Sequence, residues 1–256
     1  MSDGPTPVGG AAPDWVKGLR IVVTGAAGTL GRVLVEEAVR QGADVVATGR
    51  APGISEVALP PGAHRLIADL ADPHQCRSLV ERAAAELGGI DVLINNAAVL
   101  THCRIADLEP AALDDSWGIN VRAPVLLTQT AIPFLKASRS PSPAVVNIVS
   151  GAGFTGGVAA VTAYAMTKAA LIVFTKSAAR EFGSDGIRVV AVSPPTMESQ
   201  MQTALDDESR RNVRAANVLG RLFEVEEAAR LVLFLASPHG SSVTGTTVDG
   251  TGAIIS

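Results

Sequence analysis

The feature that most constrains this chain is an alternation of short apolar runs with segments of helical length, which begins at Arg20 and continues to the last residues. The runs are continuously apolar, which is typical of parallel strands covered on both faces. Strands that alternate with helices predict right-handed crossovers and an α/β doubly wound parallel sheet, the Rossmann fold, with helices on both faces. About seven strands are predicted, over 20–24, 44–48, 64–68, 90–94, 144–149, 187–192 and 246–250.

The segments between these strands carry helix signals. The first predicted helix ends at Gly42, a residue type that commonly stops helices. Asp72 is predicted as the N-cap of a helix that has Pro73 in its first turn and extends to Leu87. Three later helices are predicted over about 114–138, 163–182 and 224–237.

The length and composition predict one large domain. Of the 256 residues, 47% are hydrophobic and 18% are charged, so the chain has enough apolar surface for a sizeable core. The first residues are rich in Gly and Pro, and we predict a loose arm over 1–18. A single domain is predicted over 19–256, because no linker interrupts the alternation.

Several classes of partner and compartment are disfavoured by composition. The net charge is −4 with no Lys/Arg cluster, which argues against a nucleic-acid partner. The longest apolar runs are too short to span a bilayer, so we expect no membrane association. Only two cysteines occur, Cys76 and Cys103, which fits a reducing cytosol and a cytoplasmic protein. We predict no metal site.

The first strand runs into a glycine-rich turn in the stretch VVTGAAGTLGR, residues 22–32. Gly25, Gly28 and Gly31 allow the backbone to approach a pyrophosphate, and the following helix points free N–H groups at it. Glycines alone could equally make a tight turn without a ligand. The position of this turn after the first strand of a doubly wound sheet favours nucleotide binding.

Three side chains predict acid–base chemistry. Tyr164, the only tyrosine, and Lys168, one of four lysines, are four residues apart on one helix face. An ammonium group beside a phenol favours the phenolate, so we expect a Tyr164 pKa below its usual value near 10. Ser150 follows the fifth strand at the ligand-binding edge and could orient a carbonyl oxygen. The structural alternative is a buried tyrosine beside a lysine whose stem packs on apolar surface.

These residues, together with further motifs, resemble the short-chain dehydrogenase/reductase family, in its compact single-domain branch, over about residues 19–252. The motifs in order are TGAAGTLG (24–31), ADL (68–70), NNAA (95–98), WGINV with Asn120, the Ser150–Tyr164–Lys168 group and SPPTMES (193–199). The resemblance implies a catalytic set of Asn120, Ser150, Tyr164 and Lys168. It implies cofactor contacts from Gly25, Gly28, Thr29, Leu30, Gly31, Arg50, Asp69, Leu70, Asn96, Tyr164, Lys168, Pro194 and Met197.

By this resemblance, hydride transfer between a nicotinamide and a carbonyl carbon interconverts carbonyl and alcohol. Tyr164 acts as general acid/base and Ser150 polarises the substrate oxygen. Lys168 lowers the tyrosine pKa and binds the nicotinamide ribose, while Asn120 supports a water chain. The protein supplies binding and a proton.

The end of the second strand favours NADP(H) over NAD(H). Gly49 stands where the family usually has an acidic residue, and Arg50 follows it. A carboxylate at this point would bind the ribose hydroxyls, whereas a guanidinium suits a 2′-phosphate. The alternative for Arg50 is an ordinary solvated loop charge.

Two positions depart from the family pattern. Thr29 stands where a glycine is usual, and Pro195 replaces the glycine of a Pro-Gly pair. Both changes bear on cofactor affinity, because Thr29 adds bulk at the turn and Pro195 removes an N–H. For the small-molecule substrate, we predict an apolar pocket from four side chains: Phe154, Val158, Met201 and Leu205.

The oligomeric state and two other functions complete the expectations. The long helices over about 114–138 and 163–182 carry much apolar surface, and the family pairs such helices across a two-fold axis, which implies a homotetramer. One alternative function is non-redox or net-neutral work on this fold, such as an epimerase or cyclase reaction. The other is a non-catalytic nucleotide-binding protein.

Overall fold

A computed structural model describes residues 14–197 and 217–251 of the chain. Seven parallel strands form one sheet in the order β3-β2-β1-β4-β5-β6-β7. The order of the strands reverses between β1 and β4, and this reversal defines the doubly wound fold that the alternation predicts. The strands are β1 (Arg20–Thr24), β2 (Asp44–Gly49), β3 (Ala63–Ile67), β4 (Val92–Asn95), β5 (Ala144–Ile148), β6 (Arg188–Ser193) and β7 (Thr247–Asp249).

All seven predicted strands are present, with ends that differ from the prediction by one or two residues. The central strands β4, β5 and β6 are buried along their whole length, as expected for strands covered on both faces. At the sheet edge, β3 is only partly buried. Burial of the central strands therefore accounts for the unbroken apolar runs.

Helices cover both faces of the sheet. They are α1 (Thr29–Arg40), α2 (Gly53–Glu56), α3 (Pro73–Leu87), α4 (Pro110–Trp117), α5 (Ala123–Lys136), α6 (Ala152–Thr155), α7 (Thr162–Phe182) and α8 (Val225–Ala236). On one face, α1 and α8 pack into a core that includes Leu34 and Leu233. On the other, α3, α5 and α7 contribute Leu79, Leu127 and Ala178 to a second core. Asp72 caps α3 as predicted, its side chain accepting a hydrogen bond from the His74 N–H.

The helix predicted over 114–138 is interrupted. It divides into α4 and α5, with a wider π-helical turn between them at Gly118–Arg122. Pro124 lacks the N–H that would pair with the Asn120 carbonyl in a regular helix, so the ladder changes here. Such turns are frequent at functional sites, and this one contains Asn120.

The chain before β1 packs against the domain over its described part. Val16 is fully buried in the core of the α1–α8 face, and the Trp15 ring meets the Phe234 ring edge-on, with centroids 5.6 Å apart. Residues 14–18 of the predicted arm therefore belong to the packed structure. Residues 1–13 lie outside the described residues.

A buried ion pair between Arg20 and Asp91 lies at the edge of the sheet formed by the amino-terminal ends of the strands. Asp91, just before β4, accepts hydrogen bonds from the Arg20 backbone N–H, from the Arg20 guanidinium at 2.6 and 2.9 Å, and from the Ser138 hydroxyl. Burial raises the Asp91 pKa, but the hydrogen bonds from Arg20 and Ser138 outweigh it and hold the pKa below its usual value. The pair thus joins β1, β4 and the segment after α5.

We predict that Asp91→Asn lowers the free energy of unfolding by about 3 kcal/mol at pH 7, because it leaves a buried guanidinium without its counter-charge. A carboxylate with a lowered folded-state pKa stabilises the fold above the unfolded-state pKa, and this contribution is lost as the pH falls through the folded-state pKa. Urea unfolding of both proteins between pH 7 and pH 3 should therefore show the difference shrinking with acid.

The matched control for this experiment is Asp185→Asn. Asp185 pairs with Lys136 at 2.9 Å, but both side chains are solvated, so we expect a loss of less than about 1 kcal/mol. Equal losses in the two variants, or a gap that widens in acid, would contradict the role of Asp91.

Candidate active site

The predicted site residues gather at the carboxyl edge of the sheet, beside the reversal between β1 and β4. The glycine turn leaves the end of β1, Asn96 follows β4, and Ser150 lies shortly after β5. Ligands of doubly wound sheets bind in the crevice outside this edge. The topology therefore brings together residues that are more than a hundred positions apart.

The three glycines of the turn serve different purposes. Gly25 has φ of +66°, and an added Cβ would lie 2.7 Å from the Ala97 Cα. A Cβ on Gly31 would overlap the Gly25 carbonyl oxygen and come within 2.9 Å of the Asn96 side chain. Gly28 has only an ordinary 3.4 Å neighbour, the Gly25 carbonyl oxygen. Gly25 and Gly31 are thus required by the protein's own packing, whereas Gly28 leaves a surface open to a ligand.

Asn96 holds this turn against the end of β4. Its side-chain amide donates to the Thr24 carbonyl at 2.8 Å and to the Gly25 carbonyl at 3.2 Å. The Thr24 hydroxyl in turn accepts from the backbone N–H groups of Asn96 and Ala97, at 2.9 and 3.0 Å. Asn96 therefore shapes the crevice by fixing backbone, a role the sequence motif did not indicate.

A crevice of about 340 Å³ lies over the turn. Nine of the predicted cofactor residues line it: Gly25, Gly28, Thr29, Leu30, Gly31, Arg50, Asp69, Leu70 and Asn96. Its wall also includes Ala97, Ala98, Val99 and Ile119, none of which was predicted as a cofactor contact. Ala97 and Ala98 belong to the NNAA motif, Val99 directly follows it, and Ile119 belongs to the WGINV motif, so these motifs were the available signal.

One part of the crevice contains Gly49 and Arg50. A Cβ on Gly49 would lie 3.1 Å from the Ile54 Cβ, so α2 already fills the space that an acidic side chain would need. Arg50 is exposed at the rim. At this point the crevice therefore presents a cation and no carboxylate.

Tyr164 and Lys168 lie one turn apart on α7, as predicted. The Lys168 Nζ donates to the Ile148 carbonyl at 2.8 Å and lies 5.4 Å from the centre of the tyrosine ring. Lys168 is 2% exposed, and this burial lowers its pKa to about 8. A buried ammonium with one backbone partner retains donors for a ligand hydroxyl.

The expected lowering of the Tyr164 pKa is wrong for this structure. Burial raises the Tyr164 pKa above its usual value, and a side-chain hydrogen bond with Ser150 only partly offsets this increase. The Lys168 ammonium faces the ring and the Ile148 carbonyl, and burial weakens its own charged form. The desolvation of the phenol therefore exceeds the effect of the nearby cation.

Asn120 is fully buried, and its side-chain amide contacts two elements of the site. Its Oδ1 accepts from the Val99 N–H at 2.8 Å, and its Nδ2 donates to the Val99 carbonyl at 2.9 Å. The same Nδ2 donates to the Thr167 hydroxyl at 3.0 Å, and that hydroxyl donates to the Tyr164 carbonyl. Asn120 thus joins the segment after β4 to the helix that carries Tyr164 and Lys168.

A second cleft, of about 710 Å³, opens over Ser150 and Tyr164. Pro194 and Pro195 line it, as do Phe154 and Val158 of the predicted pocket. Met197 lines neither cleft and instead forms a parallel bridge with Phe223. The predicted pocket residues Met201 and Leu205 lie outside the described residues.

Two features are absent from the described ranges, 14–197 and 217–251. Within them, no group of three or more His, Cys, Asp or Glu side chains is arranged to hold a metal ion. Within the same ranges, no helix has the length and hydropathy needed to cross a bilayer.

A comparison with protein families agrees with this geometry. A family model described as "Enoyl-(Acyl carrier protein) reductase" matches residues 25–251, which include the glycine turn and the Ser150–Tyr164–Lys168 group. The chain belongs to the short-chain dehydrogenase/reductase family. The family resemblance predicted from the motifs and the doubly wound fold predicted from the alternation of strands and helices are confirmed.

Relatives of this short-chain dehydrogenase/reductase include several named reductases. The 3-oxoacyl-[acyl-carrier-protein] reductase of Salmonella typhimurium is 33% identical over 237 residues, covering 91% of this chain and 96% of its own. The reductase of the same name from Thermotoga maritima is 30% identical over 246 residues, covering 94% and 99%. A short chain dehydrogenase from Burkholderia cenocepacia, solved in complex with NADP, has a TM-score of 0.83 and 29% identity, covering 93% and 98%.

We predict that Gly28→Ala and Gly31→Ala separate binding from folding in this short-chain dehydrogenase/reductase. Gly28→Ala should keep the wild-type melting temperature and weaken NADPH binding roughly tenfold, because the methyl group faces only the crevice. Gly31→Ala should lower stability by about 2 kcal/mol or more, because the methyl group meets the Gly25 carbonyl. Thermal melts and NADPH fluorescence titrations measure the two effects, and a large stability loss in Gly28→Ala would contradict the assignment.

We also predict that the Tyr164 phenol of the cofactor-free protein titrates above pH 10, because burial disfavours its anion. Ser150→Ala should raise the pKa further by removing the hydrogen bond that lowers it. As the only tyrosine, Tyr164 can be followed by phenolate absorbance, with circular dichroism confirming that the protein is folded. Thr155→Ala, in the same cleft, should leave the pKa unchanged, and a wild-type value below 10 would contradict the burial argument.

Proposed function

We propose that this protein is an NADP(H)-dependent reductase that interconverts a carbonyl and an alcohol, with Tyr164 as general acid/base. The observation that carries this proposal is the convergence of Ser150, Tyr164 and Lys168 at the carboxyl edge of the sheet, beside a crevice lined by the glycine turn. The relatives named above as reductases agree with it. None of those relatives is named as an epimerase or cyclase, and the catalytic set disfavours a purely nucleotide-binding role.

The crevice fits an adenine dinucleotide that carries a 2′-phosphate. Gly28 leaves the helix start open to a pyrophosphate, and α1 directs its free N–H groups there. Arg50 supplies a cation beside Gly49, where α2 leaves no room for an acidic side chain. Two similar structures were solved in complex with NADP or NADPH: the Burkholderia enzyme, and a blue fluorescent protein from a metagenomic library with 31% identity and a TM-score of 0.83. A bound NADPH supplies the hydride for reduction.

The protein's own groups supply position and a proton. We assign the Ser150 hydroxyl to hold the substrate carbonyl oxygen, and the Tyr164 phenol to protonate that oxygen as it gains charge. The Tyr164 phenol is neutral at neutral pH, which is the state that a proton donor must have, and burial raises its pKa further from that range. Lys168, with donors free beyond its bond to Ile148, binds hydroxyl groups beside the tyrosine. Asn120 sets the distance between the segment after β4 and α7.

The substrate class that we propose is a 3-oxoacyl thioester, as the names of the relatives suggest for this chain. The description of the family model names a different reaction, the reduction of an enoyl thioester. A carbonyl reductase must protonate the oxygen on the carbon that receives the hydride, and Ser150 and Tyr164 together suit one oxygen. Parallel assays with 3-oxoacyl and enoyl thioesters distinguish the two reactions.

Assembly and location follow from the same resemblance. Trp117 on α4, together with Met166 and Val173 on α7, exposes apolar side chains on the helices that the family pairs. We propose a homotetramer of single-domain subunits built through this surface. Free cysteines at 76 and 103 and the lack of a basic cluster support a cytoplasmic protein without a nucleic-acid partner.

We predict that Tyr164→Phe lowers kcat for reduction of a 3-oxoacyl thioester by about 10²- to 10⁴-fold, because the acid is removed while the ring remains. NADPH binding, measured by fluorescence titration, should change less than about threefold, since the phenol contributes at most one ordinary hydrogen bond to the cofactor. NADPH consumption at unchanged rate would overturn the catalytic assignment. Tight NADPH binding by wild-type protein without turnover of any carbonyl would overturn the proposed reaction.

We further predict that Arg50→Ala weakens NADPH binding by about tenfold or more, the size of a lost charge-assisted hydrogen bond, and leaves NADH binding unchanged. Arg77→Ala, an exposed arginine on α3 away from the crevice, is the matched control and should affect neither cofactor. Equal weakening for NADPH and NADH would show that Arg50 does not recognise the 2′-phosphate.

A further inference from the structure

The cleft over Ser150 and Tyr164 has two unlike walls. One wall comes from the connection between β5 and α7, where Phe154 is 52% exposed and Val158 is 75% exposed. Large apolar side chains that remain this exposed within a cleft are suited to apolar ligand surface. The reacting carbonyl would lie between this wall and the opposite side of the cleft.

The other side of the cleft comes from the ends of β6 and β7, which follow β5 in the order of the sheet. Besides Pro194 and Pro195, it contributes four polar side chains, here called the polar wall: Thr196 after β6, Thr247 and Asp249 of β7, and Thr251 just beyond. The Thr247 hydroxyl oxygen is buried without a hydrogen-bond partner among the described residues, so this wall contains an unsatisfied polar group. Polar side chains from two strand ends thus converge opposite the apolar wall.

Hydrogen bonds fix the polar wall in place. The Gly250 N–H donates to the Ser193 carbonyl at 2.8 Å, and the Thr251 N–H donates to the Asp249 Oδ1 at 2.9 Å. The Asn217 side chain, nearly fully buried, donates to the Thr251 carbonyl at 3.0 Å. Asp249 is therefore held by a turn whose backbone is anchored on two sides.

Asp249 gives this wall its charge. Among the residues 14–197 and 217–251 that line the cleft, it is the one ionisable group besides the Tyr164 phenol. A carboxylate accepts several hydrogen bonds, and only one of those on Asp249 is used by Thr251. It attracts a donor group on a ligand and repels a second carboxylate.

We propose that this cleft selects carbonyl compounds with an apolar arm on one side of the carbonyl and a hydrogen-bond donor, a hydroxyl or amide N–H, on the other. Phe154 and Val158 contact the apolar arm, and Asp249 accepts from the donor. The proposal rests on the proposed reductase function and deepens it by naming both ends of the substrate. It also disfavours substrates that carry a free carboxylate at the polar end.

The test uses matched ligands and two variants. Ketones with a hydroxyl at increasing distance from the carbonyl are compared with their O-methyl ethers, and keto acids with their methyl esters; the alkyl arm is varied separately. Asp249→Asn keeps the acceptor for the Thr251 N–H and removes the charge, and Phe154→Ala shortens the apolar wall. Glu81→Gln, an exposed acid on α3, is the control for loss of charge alone. Both kcat/KM and binding to the NADPH-loaded protein are measured.

We expect the wild-type enzyme to prefer one hydroxyketone over its ether, and esters over acids, by about five- to tenfold, the scale of a partly solvated charged hydrogen bond. Asp249→Asn should remove both preferences and leave the preference for long alkyl arms. Phe154→Ala should remove the preference for long alkyl arms and leave the preferences for the hydroxyl and the ester. Glu81→Gln should leave all of these preferences unchanged.

If the ligands bind with the expected preferences but none is reduced, the two-walled cleft is retained and the reductase function is overturned. Turnover without a donor preference, or a donor preference that Asp249→Asn leaves intact, would overturn the cleft proposal and retain the reductase. Absence of both binding and turnover would overturn the two proposals together.

Discussion

The close approach between the end of β1 and the end of β4 is the constraint on which the site depends. Two residues without side chains, Gly25 and Gly31, let the turn settle against Ala97 and Asn96. The Asn96 amide and the Thr24 hydroxyl then satisfy the backbone groups that this approach buries. The crevice lies at this point, where the strand order reverses between β1 and β4.

Hydrogen bonding of buried polar groups also positions the side chains that we propose as catalytic. Asn120 lies in the widened helical turn, and its side chain accepts a hydrogen bond from the Val99 N–H and donates one to the Val99 carbonyl. The Lys168 Nζ donates one hydrogen bond to the Ile148 carbonyl and lies 5.4 Å from the centre of the tyrosine ring. In the cofactor-free protein both titratable groups are pushed toward their neutral forms, because desolvation dominates at this depth.

The sequence predicted the architecture well because its signals were local. Continuous apolar runs marked the buried strands, and Asp72 and Pro73 marked a helix start. The Tyr164–Lys168 spacing placed both on one face of α7.

The break at Gly118–Arg122 was missed, since apolar periodicity does not register the N–H that Pro124 lacks. The sign of the Tyr164 pKa shift was missed because burial is a property of the assembled fold, whereas a nearby lysine is visible in the sequence. The polar wall at Asp249 and Thr251 was missed for a similar reason, since β7 meets the cleft only through the order of strands in the sheet.

The Arg20–Asp91 pair lies at the edge of the sheet opposite the crevice. Substitutions at the two edges should therefore affect different properties of the protein. Damage at the amino edge reduces how many molecules survive folding and quality control, while each surviving molecule works normally. At the carboxyl edge, substitutions that face only the cleft, such as Gly28→Ala or Tyr164→Phe, leave abundance intact and lower the activity of each molecule. A survey of natural variants that records only protein level would thus detect one class and overlook the other.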